Sequence, residues 1–210
     1  GETPLFKASQ KGYLGVCKVL LETYNADPFL KANCGHDSFE ISIVSLQSAV
    51  VSYYIEKLGA IKLDQDCAYF DNIVSLIATA GYKLEEIVLF INNIFSMKND
   101  LGQLTLNQKT IENLMVLKSE EILNLLIKWL KTLSSGCKNN LKIIINMAFK
   151  KEWVYALRLL ASLFQEEMSE LKWSALEVNL NFKPEDLRFL LENYNIDLFE
   201  KNDKNESFLH

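Results

Sequence analysis

The chain repeats itself, and this limits its fold more than any other property. The string LLETYNADPF at 20–29 returns as LLENYNIDLF at 190–199, with seven of ten positions identical. The offset of 170 residues is five times 34. A fainter copy, YIEKLGAIKL at 54–63, lies one 34-residue period after the first. Gly12-Tyr13 followed by Leu20-Leu21 is matched by Gly81-Tyr82 followed by Leu89-Phe90, a shift of 69. A fixed period of about 20–50 residues marks an array whose units bury their apolar faces only by stacking on one another.

The unit reads as a helical hairpin. Thr3 offers a hydroxyl to cap a helix, and Pro4 suits its first position. Leu5 and Ala8, then Val16, Val19 and Leu20, fall on helical spacing, and Gly12 allows the turn between the two helices. Asn25-Ala26-Asp27-Pro28 closes the second helix, and a turn-rich stretch follows to Gly35. Further helices are expected at 68–80, 84–97, 108–117, 120–133, 139–149, 152–164, 171–178 and 185–194. No segment sustains period-2 alternation, and 3 prolines with 8 glycines are too few for a sandwich or barrel.

The opening GETPLFKASQKGYLGVCKVLLETYNADP resembles an ankyrin repeat. Gly1, Thr3, Pro4, Leu5, Ala8, Gly12, Leu20, Leu21, Ala26 and Asp27 match that pattern, while Phe6 and Tyr13 replace its histidines. Lys204–His210 resembles the opening of another unit, with Ser207, Leu209 and His210 in place and Phe208 departing from Pro. The likeness is clear at 1–61 and 186–210 and eroded between, where glycine–histidine turn chemistry is largely gone and shortened fingers are expected. It implies an all-α fold: an ankyrin-repeat solenoid of about six stacked hairpins plus the start of a seventh. The whole of 1–210 is expected to be a single ankyrin-repeat domain, excised from a larger protein.

The resemblance further implies a non-enzymatic module that binds a partner protein through finger loops and the concave helical face. Carried onto this chain, the partner-binding positions are Gln10, Lys11, Lys31, Asn33, Cys34 and His36 near the first finger. Lys201, Asp203, Lys204 and Glu206 follow the last unit. The rival readings are a substrate-docking domain of an effector enzyme whose catalytic domain lies elsewhere, and self-association through the middle helices. Arginine occurs only at Arg158 and Arg188 while Lys, Asn, Ile and Phe abound, as AT-rich genomes encode. The parent accordingly looks like a secreted effector of an intracellular bacterium, with viral and protist sources fitting as well.

Composition narrows the chemistry. Twenty-two basic against 27 acidic residues, net −5, leave no footprint for nucleic acid. No apolar run is long enough for membrane insertion. Cys17, Cys34, Cys67 and Cys137 show no metal-ligand spacing, and with only His36 and His210 beside them they read as free thiols of a reducing, intracellular compartment. No cofactor is expected, since P-loop, dinucleotide and Gly-x-Ser-x-Gly signatures are missing. The pairs Glu85-Glu86, Glu120-Glu121 and Glu166-Glu167 diverge by about 100° on a helix, so they form no acid/base dyad. The first two suit helix starts, whereas Glu166-Glu167 is expected to follow a helix in solvent. Trp129, Trp153 and Trp173 are expected to pack in helices, and Phe29 and Phe199 to pack beneath fingers.

Overall fold

A computed structural model describes residues 1–62, 67–97, 106–133, 137–171, 173–174, 182–194 and 196–197. The chain is mostly helical and divides into two compact units, 1–117 and 118–210. No described helix is long and apolar enough to cross a membrane.

The first unit contains α1 (Pro4–Lys11), α2 (Leu14–Glu22), α3 (Ser38–Val44), α4 (Ser48–Lys62), α5 (Cys67–Thr79), α6 (Leu84–Met97) and α7 (Gln108–Val116). Thr3 caps α1 through its hydroxyl, which accepts the Phe6 N–H at 3.1 Å, and Pro4 opens the helix. Two rows result. Helices α1, α3, α5 and α7 pack each on the next, and α2, α4 and α6 do the same. The rows close over Leu5, Phe39, Ile43, Tyr54, Phe70, Ile73, Ile77, Phe90, Ile94 and Ile111, all buried. Fully burying such side chains contributes about 1.5–3 kcal/mol each. Polar side chains join helices between and within rows: the Ser9 and Tyr54 hydroxyls lie 2.6 Å apart across the rows, and within one row Asn113 Nδ2 donates to Ser75 Oγ at 3.1 Å.

The second unit contains α8 (Glu120–Thr132), α9 (Cys137–Lys150), α10 (Val154–Leu163), α11 (Gln165–Glu170), β1 (Trp173–Ser174), α12 (Pro184–Asn193) and β2 (Ile196–Asp197). Ser119 caps α8, which buries Ile122, Leu126, Trp129 and Leu130 on one face. Helix α9 packs on α8 and α10, and α10 on α11 and α12. An aromatic cluster closes this unit: Phe149, Trp173 and Tyr194 have centroids 5.2–6.4 Å apart in edge-on arrangements.

Most expected helices appear within two residues of their limits, and three expectations are corrected. Residues 173–174, expected in a helix, form a short parallel pair with 196–197. Extended backbone there goes with burying the Trp173 ring, whose Nε1 donates to Asn146 Oδ1 at 3.1 Å. Glu152 and Trp153 do not begin α10. Glu152 has φ 51°, and Trp153, half-buried, stands just before the helix. Glu166-Glu167 occupies the first turn of α11 rather than following a helix, where the dipole favours it.

Backbone conformation carries the period where side chains have lost it. Along the chain a left-handed residue separates consecutive helices at Gly12 (φ 75°), Leu46 (φ 57°), Gly81 (φ 100°), Lys118 (φ 49°) and Glu152 (φ 51°). The spacings are 34, 35, 37 and 34 residues. The same two bonds close three of these turns: Tyr13 N–H to Ala8 O, Gln47 N–H to Ser42 O and Trp153 N–H to Ala148 O, each with a bond from the residue before it to the carbonyl three residues back. Non-glycine residues in this region cost about 1–2 kcal/mol.

Gly12→Ala is therefore expected to destabilise by about 1–2 kcal/mol in urea melts. Its added Cβ would also stand 2.1 Å from Gln47 Oε1, so Gly12→Ala/Gln47→Ala should recover the steric part only. Lys118→Gly, at an exposed turn, is expected to stabilise by up to about 1 kcal/mol.

Candidate functional site

Between α2 and α3 the chain builds a finger. It leaves α2 through Asn25 at φ 49°, and Asp27 Oδ1 accepts the Phe29 N–H at 2.9 Å, an Asx-type turn. Ser38 N–H donates to Pro28 O at 3.0 Å and Ala32 N–H to His36 O at 2.9 Å, holding the two arms together. Gly35, at φ 85°, turns the tip, and its N–H reaches Ala32 O at 2.9 Å. Ala32 is buried with Phe6 and Ile41, which seats the finger on α1 and α3. Asn33 and Cys34 are left exposed at the tip.

The finger is fastened by one carboxylate. Asp37 caps α3, its Oδ1 accepting the N–H groups of Phe39 and Glu40 at 3.0 and 2.9 Å. Glu40 Oε2 accepts the Asp37 N–H in return at 2.9 Å, completing a capping box. Glu40 is 1% exposed and also accepts from Lys31 Nζ at 2.7 and 2.8 Å and from Asn72 Nδ2 at 2.7 Å. His36 Nδ1 lies 3.7 Å from the same group. The finger, the start of α3 and helix α5 thus meet at Glu40. Burial, and then the negative charge of Glu40, push the Asp37 carboxyl above its ordinary value, against the backbone hydrogen bonds it accepts. Burial and the Asp37 charge likewise keep the Tyr69 phenol protonated well beyond its usual range.

The expected binding residues divide accordingly. Lys31 and His36 face Glu40, so they hold the finger's shape. Asn33 and Cys34 form its accessible tip, with Lys11 exposed at the end of α1. Gln10, half-buried nearby on α1, accepts from Lys7 Nζ at 3.5 Å. Lys201, Asp203, Lys204 and Glu206 lie outside the described residues, as does Phe199. Phe29 packs its ring edge-on to Tyr69 at 5.7 Å, beneath the finger.

Glu40 and Asn72 were not among the expected residues. The Asp37-x-x-Glu40 spacing is the sequence signal for the first, and Asn72 carries none. Also unforeseen is a groove of about 410 Å³ at the finger's base, with Leu21, Pro28, Phe29 and Tyr53 in its walls and Glu22 and Lys57 at its rim. Glu22 Oε1 accepts the Tyr53 hydroxyl at 2.9 Å. Burial first, then this bond, push that phenol up to about 12. The paired acids serve helix starts: Glu86 Oε1 accepts from Ser48 Oγ at 2.6 Å, and Glu121 Oε2 from Ser119 Oγ at 2.7 Å.

Glu40→Ala strands the Asp37 N–H, Lys31 and Asn72, and is expected to cost about 3 kcal/mol and to speed amide exchange across 28–37 before α7 is affected. Asp37→Asn keeps the capping oxygen and removes the titration. Because the folded-state value is raised, the folded protein binds more protons than the unfolded between the ordinary value of 3.8 and the raised one. Wild-type stability relative to Asp37→Asn should fall as pH rises through that window. Urea melts across it would give a flat difference if burial does not control Asp37. Compared with protein-family models, curated proteins and solved structures, the chain matches none, so its functional reading rests on these residues.

Proposed function

We propose that this chain is a non-enzymatic protein-interaction module, a divergent ankyrin-repeat solenoid that binds a partner protein through its finger and the adjoining inner helices. The observation that carries this reading is the regular return of a left-handed turn every 34–37 residues between helices, from Gly12 to Glu152. It supports one hairpin unit used throughout, including the stretch where the sequence likeness fades. The packing of α1, α3, α5 and α7 in order supports a continuous inner row beside the finger.

The site's chemistry agrees with binding by shape. Glu40 and Asp71 are buried carboxylates engaged by backbone and amide donors, which suits holding loops and helix starts in place. A finger whose arms are bonded and whose base is anchored loses little freedom when a partner docks, so more of the contact energy appears as affinity. Asn33 and Cys34 at the tip and Lys11 on α1 are the groups it would present, with a partner in a reducing compartment keeping Cys34 a thiol.

The test is a surface variant, Lys11→Glu/Asn33→Glu/Cys34→Glu, which leaves the Lys31–Glu40 anchor intact. Its stability should stay within about 0.5 kcal/mol per site of wild type. Cross-linking and mass spectrometry from a lysate of the source cells should show loss of partners that wild type captures. The same partners captured equally by both proteins would move the contact off the finger.

A further inference from the structure

Helix α2 shows to solvent a face that its counterpart in the repeat keeps covered, and the counterpart identifies the cover. The 170-residue offset that relates 20–29 to 190–199 places α2 (Leu14–Glu22) on α12 (Pro184–Asn193). In α12 and just past it, three positions touch the preceding hairpin and a fourth is buried beside them. Asp186 Oδ1 pairs with Arg158 Nη2 of α10 at 2.9 Å, and Phe189 lies under the same guanidinium at 4.5 Å. Leu190 is fully buried. Tyr194, just past the helix, donates its hydroxyl to Leu157 O at 2.6 Å and packs its ring 5.2 Å from Phe149.

The equivalent positions in the first hairpin are Val16, Val19, Leu20 and Tyr24. Val16 is 49% exposed, Val19 51% and Tyr24 71%, against 2% for Tyr194. Among the nine residues of α2 only Cys17 is buried. The exposed stripe is thus made of the positions that the repeat uses for stacking, and a terminal capping unit would carry polar residues there. We infer that the Val16/Val19/Leu20/Tyr24 face is a stacking surface for a helical hairpin of the chain's own repeat build, seated against α2 as α9–α10 is seated against α12. One difference refines the fit. Val16 stands where Asp186 receives Arg158, so the occupant carries an aliphatic residue in Arg158's place.

This inference rests on the equivalence of two helices and stands apart from whether the finger binds a partner. The test duplicates residues 137–171 ahead of Gly1 in the full chain, joined by a Gly-Ser linker of about ten residues. Two versions of the duplicated hairpin are compared, one unchanged and one with Arg158→Leu in the duplicate. The expected result is about tenfold slower amide exchange along α2, larger with the Arg158→Leu duplicate, and loss of the gain in Val19→Asp/Tyr24→Ala. Unchanged exchange along α2, or slowing that survives Val19→Asp/Tyr24→Ala, would overturn it. So would concentration-dependent self-association of the unfused chain that protects α2 and leaves exchange along α9 and α10 unchanged, since a surface other than such a hairpin would then be the occupant.

Discussion

A carboxylate taken out of water is costly unless donors gather on it, and in the first unit the donors gathered on Glu40 organise the structure. Glu40 sits where the finger, the start of α3 and helix α5 converge, and its two oxygens collect donors from all three. Remove that group and the finger has its backbone bonds, the Asp27 turn and the seating of Ala32 and Phe29 to set against the entropy of about ten loop residues. The next pair in the same row, α5 and α7, uses the same device one position away. Asp71 accepts the backbone N–H of Asn107 at 2.9 Å and the side-chain amide of the same residue, tying the start of α7 to α5. Asn72 reaches back to α3 while Asp71 reaches forward to α7. Acid–amide pairs therefore hold α3, α5 and α7 in step, while the apolar faces behind them supply the burial.

The turns between paired helices obey a different rule. They are specified by backbone shape, and side chains are substituted as long as the shape is kept. Gly12 and Gly81 take the left-handed conformation without strain, whereas Leu46, Lys118 and Glu152 take it at a cost of about 1–2 kcal/mol each. That cost is small beside what the flanking helices bury: α8 alone inters Ile122, Leu123, Leu126, Trp129 and Leu130. Packing strong enough to override local preference explains how glycine can disappear from a turn while the turn survives.

This division decides what could be read from the sequence. Helices announced themselves by apolar spacing, and α6 (Leu84–Met97) has the limits its pattern predicts. The period was visible only where glycine and the LLExYNxD string remain, because strings record side chains and the left-handed turn at Lys118 or Glu152 is a property of φ. The finger's tip, at Asn33 and Cys34, was legible from the repeat likeness. Its anchor was only half legible. Asp37-x-x-Glu40 is a local pattern, but Asn72 lies 32 residues further on and meets Glu40 through the stacking of α3 and α5. Lys31 was expected among binding residues because the repeat likeness places it in the finger, and nothing local shows that a buried carboxylate nine residues away will take it. The helix expected at 171–178 misled for the same reason. Apolar spacing does not show that Trp173 will be claimed by Phe149 and Tyr194 and paired as strand with Ile196.

In an array, then, the environment of a side chain belongs to the junction between units more than to the unit. Tyr24 and Tyr194 occupy one position in one repeated string, and the first stands in solvent while the second is buried with its hydroxyl bonded. The same logic ranks the helices of the first unit by security. Among the described residues, helix α4 has α2, α3 and α6 against it, and α2 packs chiefly on α1 and α4. Helix α2 is held inward by buried Cys17, whose Sγ lies 3.7 Å from Ser9 Oγ, by Ser9 in turn meeting Tyr54, and by Glu22, which accepts the Tyr53 hydroxyl at 2.9 Å. Stability in such an assembly is a sum over neighbour contacts, so the helix with an open side opens first. Fraying of the first unit should accordingly begin at α2 and stop at α4, where neighbours on both sides restore the full set of contacts.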